Sequence, residues 1–241
     1  MADTQQLRIL AGGVPAWNAW RLDNVEVVPD LENADLSGDD LSGADFRNAN
    51  LRGAVLRRAN LCRAVFSNAQ MVHAIVCEAD LCGAALDRAD LTGADFYKAN
   101  LTSTDLRQSR LAETNLKEAD LSRAALLQSD ASGSSMQQAK LEQANLSGAR
   151  LSGVNLQGAV LNGAQLMWAD LSNADLSNAS LQRASLEEVH LNNACLRGAD
   201  LKEARLHQAD LTDTNLHGVN LEVVDLADAR LDRAKLTRGA P

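Results

Sequence analysis

Histidine and cysteine are the side chains with which this chain could bind a metal ion or form a nucleophile, and both are scarce. The four histidines are His73, His190, His207 and His217, and the four cysteines are Cys62, Cys77, Cys82 and Cys195. A zinc or catalytic site brings three or four such groups together. The one histidine with a cysteine nearby is His73, shortly before Cys77, and that single pair is weak evidence for a site. We therefore expect no metal and no cofactor.

Aspartate is abundant, but it recurs at one fixed place directly before an apolar residue, as in Ala44-Asp45-Phe46 and Ala174-Asp175-Leu176. We interpret these carboxylates as solvated or hydrogen-bonded at turns, because a residue type at a fixed place is part of the architecture. The chain also lacks a glycine-rich phosphate loop and a nucleophile elbow. We expect no catalytic residue and no enzymatic activity.

A five-residue repeat positions all of these side chains, and it runs without interruption from Leu31 to Leu236. Every fifth residue is apolar, and leucine fills 35 of these 42 central positions. The inner position, two residues earlier, is alanine in 30 of the 42 repeats. The outer position lies between them, and the two residues after the centre form a corner. A fixed repeat of this kind predicts a stacked solenoid.

A period of five fits neither a helix nor a flat strand. A helix turns about 100° per residue, so a step of five moves each leucine by roughly 140° around the axis. A strand alternates its faces, so an odd step places successive leucines on opposite faces. A chain that bends at every repeat gives the leucines one interior. The Ser-Gly, Thr-Gly and Asn-Gly corners are typical of turns.

Units such as Ala34-Asp35-Leu36-Ser37-Gly38 and Ala89-Asp90-Leu91-Thr92-Gly93 closely resemble those of the pentapeptide-repeat family, over about residues 29–238. The resemblance implies that family's fold, an all-β solenoid in the form of a right-handed quadrilateral β-helix with four repeats per coil. Forty-two repeats then give about 10.5 coils, and strands about 4.8 Å apart give a rod roughly 50 Å long. Residues twenty apart share one of four sides, which we name by first central residue as the Leu31, Leu36, Leu41 and Phe46 sides.

The sequence predicts three segments: a helical cap at residues 1–28, the repeat region at 29–238 and a tail at 239–241. In the cap, Gly12-Gly13 separates a helix over 5–11 from a second helix that starts at Pro15. Trp17 and Trp20 share a face of that helix. We interpret them as plugs over the first coil, whose backbone edge and apolar bore would otherwise be open. Such a cap is similar to those of some cyanobacterial-type family members.

Composition limits the class of protein. Hydrophobic residues make up 46% and aromatic residues only 3%, which suits a narrow core of leucine and alanine. The net charge of −9 disfavours direct binding to nucleic acid or to an anionic membrane. No apolar run is long enough to span a membrane, and the first residues lack the features of a signal peptide. We expect a cytoplasmic, bacterial protein.

Cys62 and Cys82 each follow a central leucine and are twenty residues apart. Four repeats per coil would stack them on adjacent coils, about 4.8 Å apart at Cα, within the range of a disulfide. Because thiols stay reduced in the cytoplasm, we expect two stacked free thiols instead of a bridge.

The last coil forms an edge without a following helix. Its central residues are Leu221, Leu226, Leu231 and Leu236. An uncovered edge can pair with another chain, so we expect an end-to-end homodimer through this coil.

Apolar residues replace Asp or Asn at the outer position of the second and third coils. Val55 and Ile75 share the Leu36 side with Tyr97, and Val65 lies on the Phe46 side above Ala85. Exposed apolar clusters can mark contact sites. The alternative is that β-branched residues simply suit a strand.

A second group of apolar residues lies on the Phe46 side, where Met167 and Trp168 follow Leu127 by two coils. An exposed tryptophan is a typical interface anchor. The alternative is that the Trp168 ring packs against the surface of its own chain.

The repeat is weakest near residues 129–136, where Ala131 fills a central position. Small polar residues at the inner position also stack here, with Ser109 one coil before Ser129 and Thr114 one coil before Ser134. A smaller centre leaves a cavity or draws the wall inward. We expect a local irregularity, with a bend as one form of it. The alternative is drift of the repeat sequence without a structural effect.

Two functions of different classes follow. Quinolone-resistance members of the family are acidic rods that mimic DNA on gyrase, and this chain is acidic. Its charge is diffuse, however, at −4, +2, −3 and −3 on the Leu31, Leu36, Leu41 and Phe46 sides of residues 29–238, whereas a duplex mimic concentrates anionic charge. The chain also lacks those members' C-terminal dimerisation helix and projecting loop. We favour a rigid protein-interaction scaffold over the gyrase-binding mimic.

Overall fold

The computed structural model describes residues 2–236, in which two helices precede a long solenoid. Helix α1 spans Thr4–Ala11 and helix α2 spans Val14–Asp23. Strands β1 (Asn215–Leu216) and β2 (Lys235–Leu236) pair in parallel near the other end. The expected tail and residues 237 and 238 of the expected repeat region lie outside the described residues. Neither helix combines the length and hydropathy that crossing a membrane requires.

Both predicted helices form, and local chemistry sets their ends. Asp3 caps α1, because its Oδ1 accepts hydrogen bonds from the N–H groups of Gln5 and Gln6 at 2.8 and 3.0 Å. Gly13 separates the helices at φ 92°, a left-handed value that favours glycine. Proline in the first turn of α2 is tolerated, since an N–H there has no helical partner.

From Asp30 onward the chain pairs with itself in steps of twenty residues. One coil carries four parallel bridges, one on each side: Asp30↔Asn50, Asp35↔Val55, Asp40↔Asn60 and Asp45↔Val65. On the Leu31 side, Leu31 N donates to Asn50 O and Asn50 N donates to Pro29 O, both at 2.8 Å. Residues twenty apart are therefore vertical neighbours, and the chain is a four-sided β-helix solenoid.

In residues 2–236, every second corner residue except Val223 adopts the left-handed conformation, with φ 58° at Asn33 and 70° at Gly43. The corner is closed by a turn in which Ala34 N donates to Leu31 O at 3.0 Å. Asn33 N also donates to Arg52 O on the next coil at 2.9 Å. These hydrogen bonds offset the strain of left-handed backbone at residues other than glycine.

Central and inner side chains fill the bore. Leucines such as Leu51, Leu91 and Leu151 are completely buried, and the Phe46 and Phe66 rings stack at 5.1 Å between centroids. Burying one leucine contributes about 1.5–3 kcal/mol. The core is therefore continuous along the rod, and it leaves function to the corners and the outer positions.

The prediction of a local irregularity near residues 129–136 is wrong. Asp130 bridges both Arg110 and Arg150, and Ala131 N donates to Arg150 O at the ordinary 2.8 Å. The small centre does not disturb the coil because the backbone ladder and the corner turns make the same hydrogen bonds whatever the central side chain. The buried Ser129 hydroxyl adds a bond of 2.8 Å to Leu126 O.

The coil departs from its pattern nearer the C-terminus. Within residues 2–236, no bridge joins positions 200 and 220, and Val223 is absent from the residues with positive φ. Val223 is the only β-branched residue at a second corner position of the repeats. Branching at Cβ disfavours left-handed backbone, so this corner takes another conformation.

Candidate functional site

The outer aspartates hold the corners. Oδ1 of Asp210 accepts hydrogen bonds from the backbone N of Thr212 at 3.0 Å and from its hydroxyl at 2.6 Å. The hydroxyl bond is the main reason that the pKa of Asp210 lies below its usual value. Asp35 makes the same pair of contacts with Ser37. These carboxylates are therefore ionised acceptors in turns and are poorly suited to act as general acids.

Outer asparagines extend this network from coil to coil. Asn60 Nδ2 donates to Asp40 Oδ1 at 2.9 Å, and Asn100 Nδ2 donates to Asp80 Oδ1 at 2.8 Å. The Asp or Asn preference of the outer position thus has a structural cause.

The histidine and cysteine side chains are kept apart. His73 lies at a corner of the Leu31 side, against Gly93, while Cys77 is buried on the Leu36 side. No group of three or more His, Cys, Asp or Glu side chains in residues 2–236 is arranged to hold a metal ion.

Cys62 and Cys82 are stacked free thiols. The other two cysteines are also free. Burial, together with the neighbouring Asp80 carboxylate, raises the pKa of Cys62 to about 11. A thiol of this kind is a poor nucleophile at neutral pH.

The Phe46 side carries three successive repeats without a charged residue, at 124–128, 144–148 and 164–168. We call these repeats the uncharged patch. Within it, Leu127 is 36% and Trp168 is 58% exposed, and Met167 is half-buried. Ser147, which lies between Leu127 and Met167 in one column, is only 6% exposed. Leu127 and Met167 thus lie two coils apart in one column, with Trp168 at the corner position next to Met167.

The other predicted apolar group is more deeply embedded. Val55 and Ile75 are half-buried and bridge each other, and Val65 bridges Ala85. Tyr97 is occupied within the chain, since its hydroxyl donates to Glu118 at 3.4 Å and Lys98 Nζ lies 5.1 Å from its ring centroid. These residues act as part of the β-ladder and offer less free apolar surface than the uncharged patch.

A family model for pentapeptide repeats matches the chain in eight copies, which together cover residues 40–76 and 78–238. The chain belongs to the pentapeptide-repeat family. No curated protein sequence matches it.

Solved pentapeptide-repeat structures resemble the chain to different degrees. HetL of the cyanobacterium Nostoc sp. strain PCC 7120, described as involved in heterocyst differentiation regulation, is 32% identical. The match covers 100% of this chain and 99% of HetL, with a TM-score of 0.85. A protein from the Arabidopsis thaliana thylakoid lumen is 28% identical over 48% of this chain and 66% of its own, with a TM-score of 0.36.

The fluoroquinolone resistance protein QnrB1 is a more distant relative. It is 18% identical over 74% of this chain and 89% of its own, with a TM-score of 0.35. A likeness at this level is a matter of shared repeats and carries no argument about function.

At the N-terminal end of this pentapeptide-repeat chain, α2 lies against the first coil. Trp17 is fully buried, its ring lies 5.6 Å from that of Phe46, and its Nε1 donates to Asp45 O at 2.8 Å. Trp20 is half-buried and contacts Trp17 with ring centroids 5.1 Å apart. Both predicted tryptophans thus lie at the mouth of the bore.

Arg21 was not singled out from the sequence, although it fixes α2 on the coil. Its guanidinium is buried and donates to Val27 O at 2.9 Å and to Arg47 O at 3.0 Å. A lone arginine in an amphipathic helix gives no signal of such a role.

The end of α2 and the segment that follows it expose apolar side chains outside the repeat. Leu22, Val25 and Val28 are each at least 60% exposed. The sequence signal for this exposed apolar group is that its residues cluster within seven positions outside the repeat.

At the other end, the predicted edge leucines are less buried than those of the inner coils. Leu221, Leu226 and Leu231 are half-buried and Leu236 is 50% exposed.

On the Leu31 side, alternating charges form a ladder that the sequence reading did not identify. Arg110 pairs with Asp90 at 3.4 Å, Arg150 with Asp130 at 3.8 Å and Arg230 with Asp210 at 3.8 Å. The signal was an outer position that alternates Asp and Arg at intervals of twenty, with His190 where the next arginine would fall.

Proposed function

We propose that this protein is a rigid, non-catalytic scaffold that binds another protein through the uncharged patch. The observation that carries the proposal is three successive repeats without a charged residue on the Phe46 side, bearing Leu127, Met167 and Trp168. Depletion of charge around an aromatic anchor is typical of the centre of an interface. A shallow depression lies beside Leu127 at one border of the patch, and Arg107 and Gln128 are among the residues that line it.

The match to HetL over essentially the whole of both chains supports a regulatory role. HetL is described as involved in heterocyst differentiation regulation, and we propose that this chain likewise acts by binding a regulatory partner in the cytoplasm. A rod with flat sides and no enzymatic centre suits such a task because it presents contacts at fixed spacings.

The proposal includes the architecture that the family resemblance implies. We infer a right-handed quadrilateral coil of about 10.5 turns, from 42 repeats at four per turn. We also infer that α1 and α2 act as a cap, which protects the first coil from pairing with other chains.

At the opposite end we propose an end-to-end homodimer through Leu221, Leu226, Leu231 and Leu236. Their incomplete burial supports an apolar contact between two copies. Light scattering over a hundredfold range of concentration tests it. A monomer throughout would exclude the dimer and leave the scaffold proposal intact.

The patch is tested by crosslinking and affinity capture with the full chain. Trp168→Ala and Leu127→Asp remove the anchor and place a charge in the patch, and Ile75→Asp does so on the Leu36 side. We expect the first two variants to lose a partner that Ile75→Asp retains. If all variants that keep the native melting temperature capture the same proteins, the patch is not the binding surface.

The alternative function is an acidic mimic of DNA that binds gyrase and confers quinolone resistance. The net charge of −9 favours it. The ladder on the Leu31 side weighs against it, because each pair there, such as Arg150 and Asp130, cancels charge locally. Gyrase supercoiling with and without a quinolone decides the matter, and protection by this chain would favour the mimic.

A further inference from the structure

We propose that Trp168 and Glu188 together bind a lysine or arginine side chain, so that the partner presents a basic segment to the uncharged patch. The inference rests on the proposed function and adds the chemical class of the partner. It follows from the exposed ring of Trp168, from a related arrangement elsewhere in the chain, and from the charges around the ring.

Trp168 combines a left-handed backbone conformation with an exposed ring. It lies at a second corner position with φ 58°, where the other repeats hold glycine or mainly polar side chains. The corner hydrogen bonds hold this backbone at Trp168 as at the other second corners, but the ring is 58% exposed and gains little packing. A large exposed aromatic side chain is a typical interface anchor.

The chain shows how a ring and a glutamate one coil further on hold a cation. Lys98 Nζ lies 5.1 Å from the Tyr97 ring centroid and 3.4 Å from Glu118, which also accepts from the Tyr97 hydroxyl. The ring face and the carboxylate attract the same ammonium group. Trp168 likewise has a glutamate one coil further on, Glu188, but both are second corner residues, whereas Tyr97 is a first corner residue. The two sites therefore share a ring and a carboxylate on adjacent coils and differ in register. Trp168 N donates to Glu187 O at 3.2 Å.

The cations of the chain near Trp168 are engaged elsewhere. Arg205 Nε pairs with Glu187 at 2.9 Å, and Arg150 pairs with Asp130. Glu188 has no ionic partner among residues 2–236, and no lysine or arginine of that range lies over the Trp168 ring. Ring and carboxylate are thus both available to a side chain from another molecule.

Charge complementarity selects a basic partner over an acidic one. Glu188 borders the patch on the Phe46 side, and Asp170 lies beside Trp168 on the Leu31 side, whereas the charge of Glu187 is balanced by Arg205. Leu127 and Met167 continue the surface with apolar atoms. The partner that fits is a segment with an arginine or lysine next to apolar residues, because tryptophan is the best ring for a cation.

The test follows the indole N–H signals of the full chain by NMR at physiological salt. The Trp168 signal is assigned by its loss in Trp168→Phe. The probes are a twelve-residue peptide of arginine, leucine and glycine, and two counterparts in which glutamate or glutamine replaces each arginine. We expect the arginine peptide alone to shift the Trp168 signal. Isothermal titration calorimetry with the same peptide should show that Trp168→Ala and Glu188→Gln each weaken its binding at least fivefold.

The matched control is Glu113→Gln, which removes the same charge from an exposed second corner position on another side. We expect it to change the affinity less than twofold. Equal effects of Glu113→Gln and Glu188→Gln, or equal binding of the glutamate peptide, would overturn the inference, since attraction would then be non-specific. Capture of a partner that depends on Trp168 but not on Glu188 would leave the proposed function standing and reject the basic segment.

Discussion

The imidazole of His73 lies directly over Gly93, one coil further along the Leu31 side. A Cβ on Gly93 would lie 2.5 Å from His73 Nδ1, and Gly93 itself has φ 66°. Second corner side chains therefore lean onto the next coil, and a glycine there accommodates its neighbour as well as its own backbone.

Gly93→Ala tests this contact. Left-handed backbone costs about 1–2 kcal/mol in an alanine, and the clash adds to it because the imidazole has to move. Gly133→Ala is the control, since nothing lies within 4 Å of its Cβ position at φ 65°. We expect a larger loss of unfolding free energy for Gly93→Ala in urea, and His73→Ala should abolish the difference. Equal losses would contradict the contact.

Ser134→Ala should stabilise the protein. Ser134 Oγ is buried without a hydrogen-bond partner within residues 2–236, whereas Ser109 Oγ donates to Leu106 O at 2.6 Å. An unsatisfied buried hydroxyl costs about 1–3 kcal/mol. We expect a gain of that order in Ser134→Ala and no comparable gain in Ser109→Ala, measured by thermal and urea unfolding. A loss of stability in Ser134→Ala would show that its hydroxyl is satisfied.

Trp17→Ala should destabilise the N-terminal end. The ring is fully buried and its Nε1–H bonds to Asp45 O, and truncating a buried aromatic typically costs about 3–5 kcal/mol. Trp20→Ala, at a half-buried ring, should cost less. Hydrogen exchange resolved by residue should show that backbone amides lose protection first in the coils nearest α2. A loss of protection spread evenly along the rod would argue against a local role of Trp17.

Stability should fall in acid. Hydrogen bonding from Arg107 holds the pKa of Asp105 below its usual value, as the Thr212 hydroxyl does for Asp210. Because the pKa is lower in the folded chain than the value of about 3.9 in the unfolded chain, the stabilisation is full above about pH 4. It is lost as the pH falls through the folded values. Unfolding in urea from pH 6 to pH 2 measures the effect, and Asp210→Asn should flatten the curve.

Cys62 should resist alkylation in the folded protein. Burial raises the pKa of its thiol to about 11, so little thiolate forms at pH 8. We expect iodoacetamide to modify Cys62 only near pH 10 or after unfolding, as followed by peptide mass spectrometry. Cys62→Ser identifies the labelled peptide. Rapid labelling of Cys62 at pH 8 would contradict this expectation.

Much of the fold could be predicted from the sequence because every repeat places an apolar central residue at the same spacing. The spacing of Leu51 and Met71 was enough to predict vertical neighbours, and the ladder of bridges confirms the register. The break in the helical pattern at Gly13 likewise predicted two helices.

Other features depend on geometry that a repeat does not encode. Ala131 looked like a defect, yet the backbone there pairs normally, since the ladder is independent of side-chain size. Arg21 gave no signal because its partners are backbone carbonyls, which every residue has. The sequence placed Leu127 and Trp168 in one group, but only coordinates show that Glu188 has no ionic partner within residues 2–236 while Arg205 is engaged.

The twenty-residue register limits how the length of this chain can change. Removing twenty residues would shorten the rod by one layer and leave every later residue on its original side, as the pairs from Asp30↔Asn50 onward indicate. Removing five would rotate everything downstream by a quarter turn, so that Trp168 would move away from Leu127 although both coils remained intact. Variation in whole layers therefore preserves a binding surface, whereas variation in single repeats rearranges it.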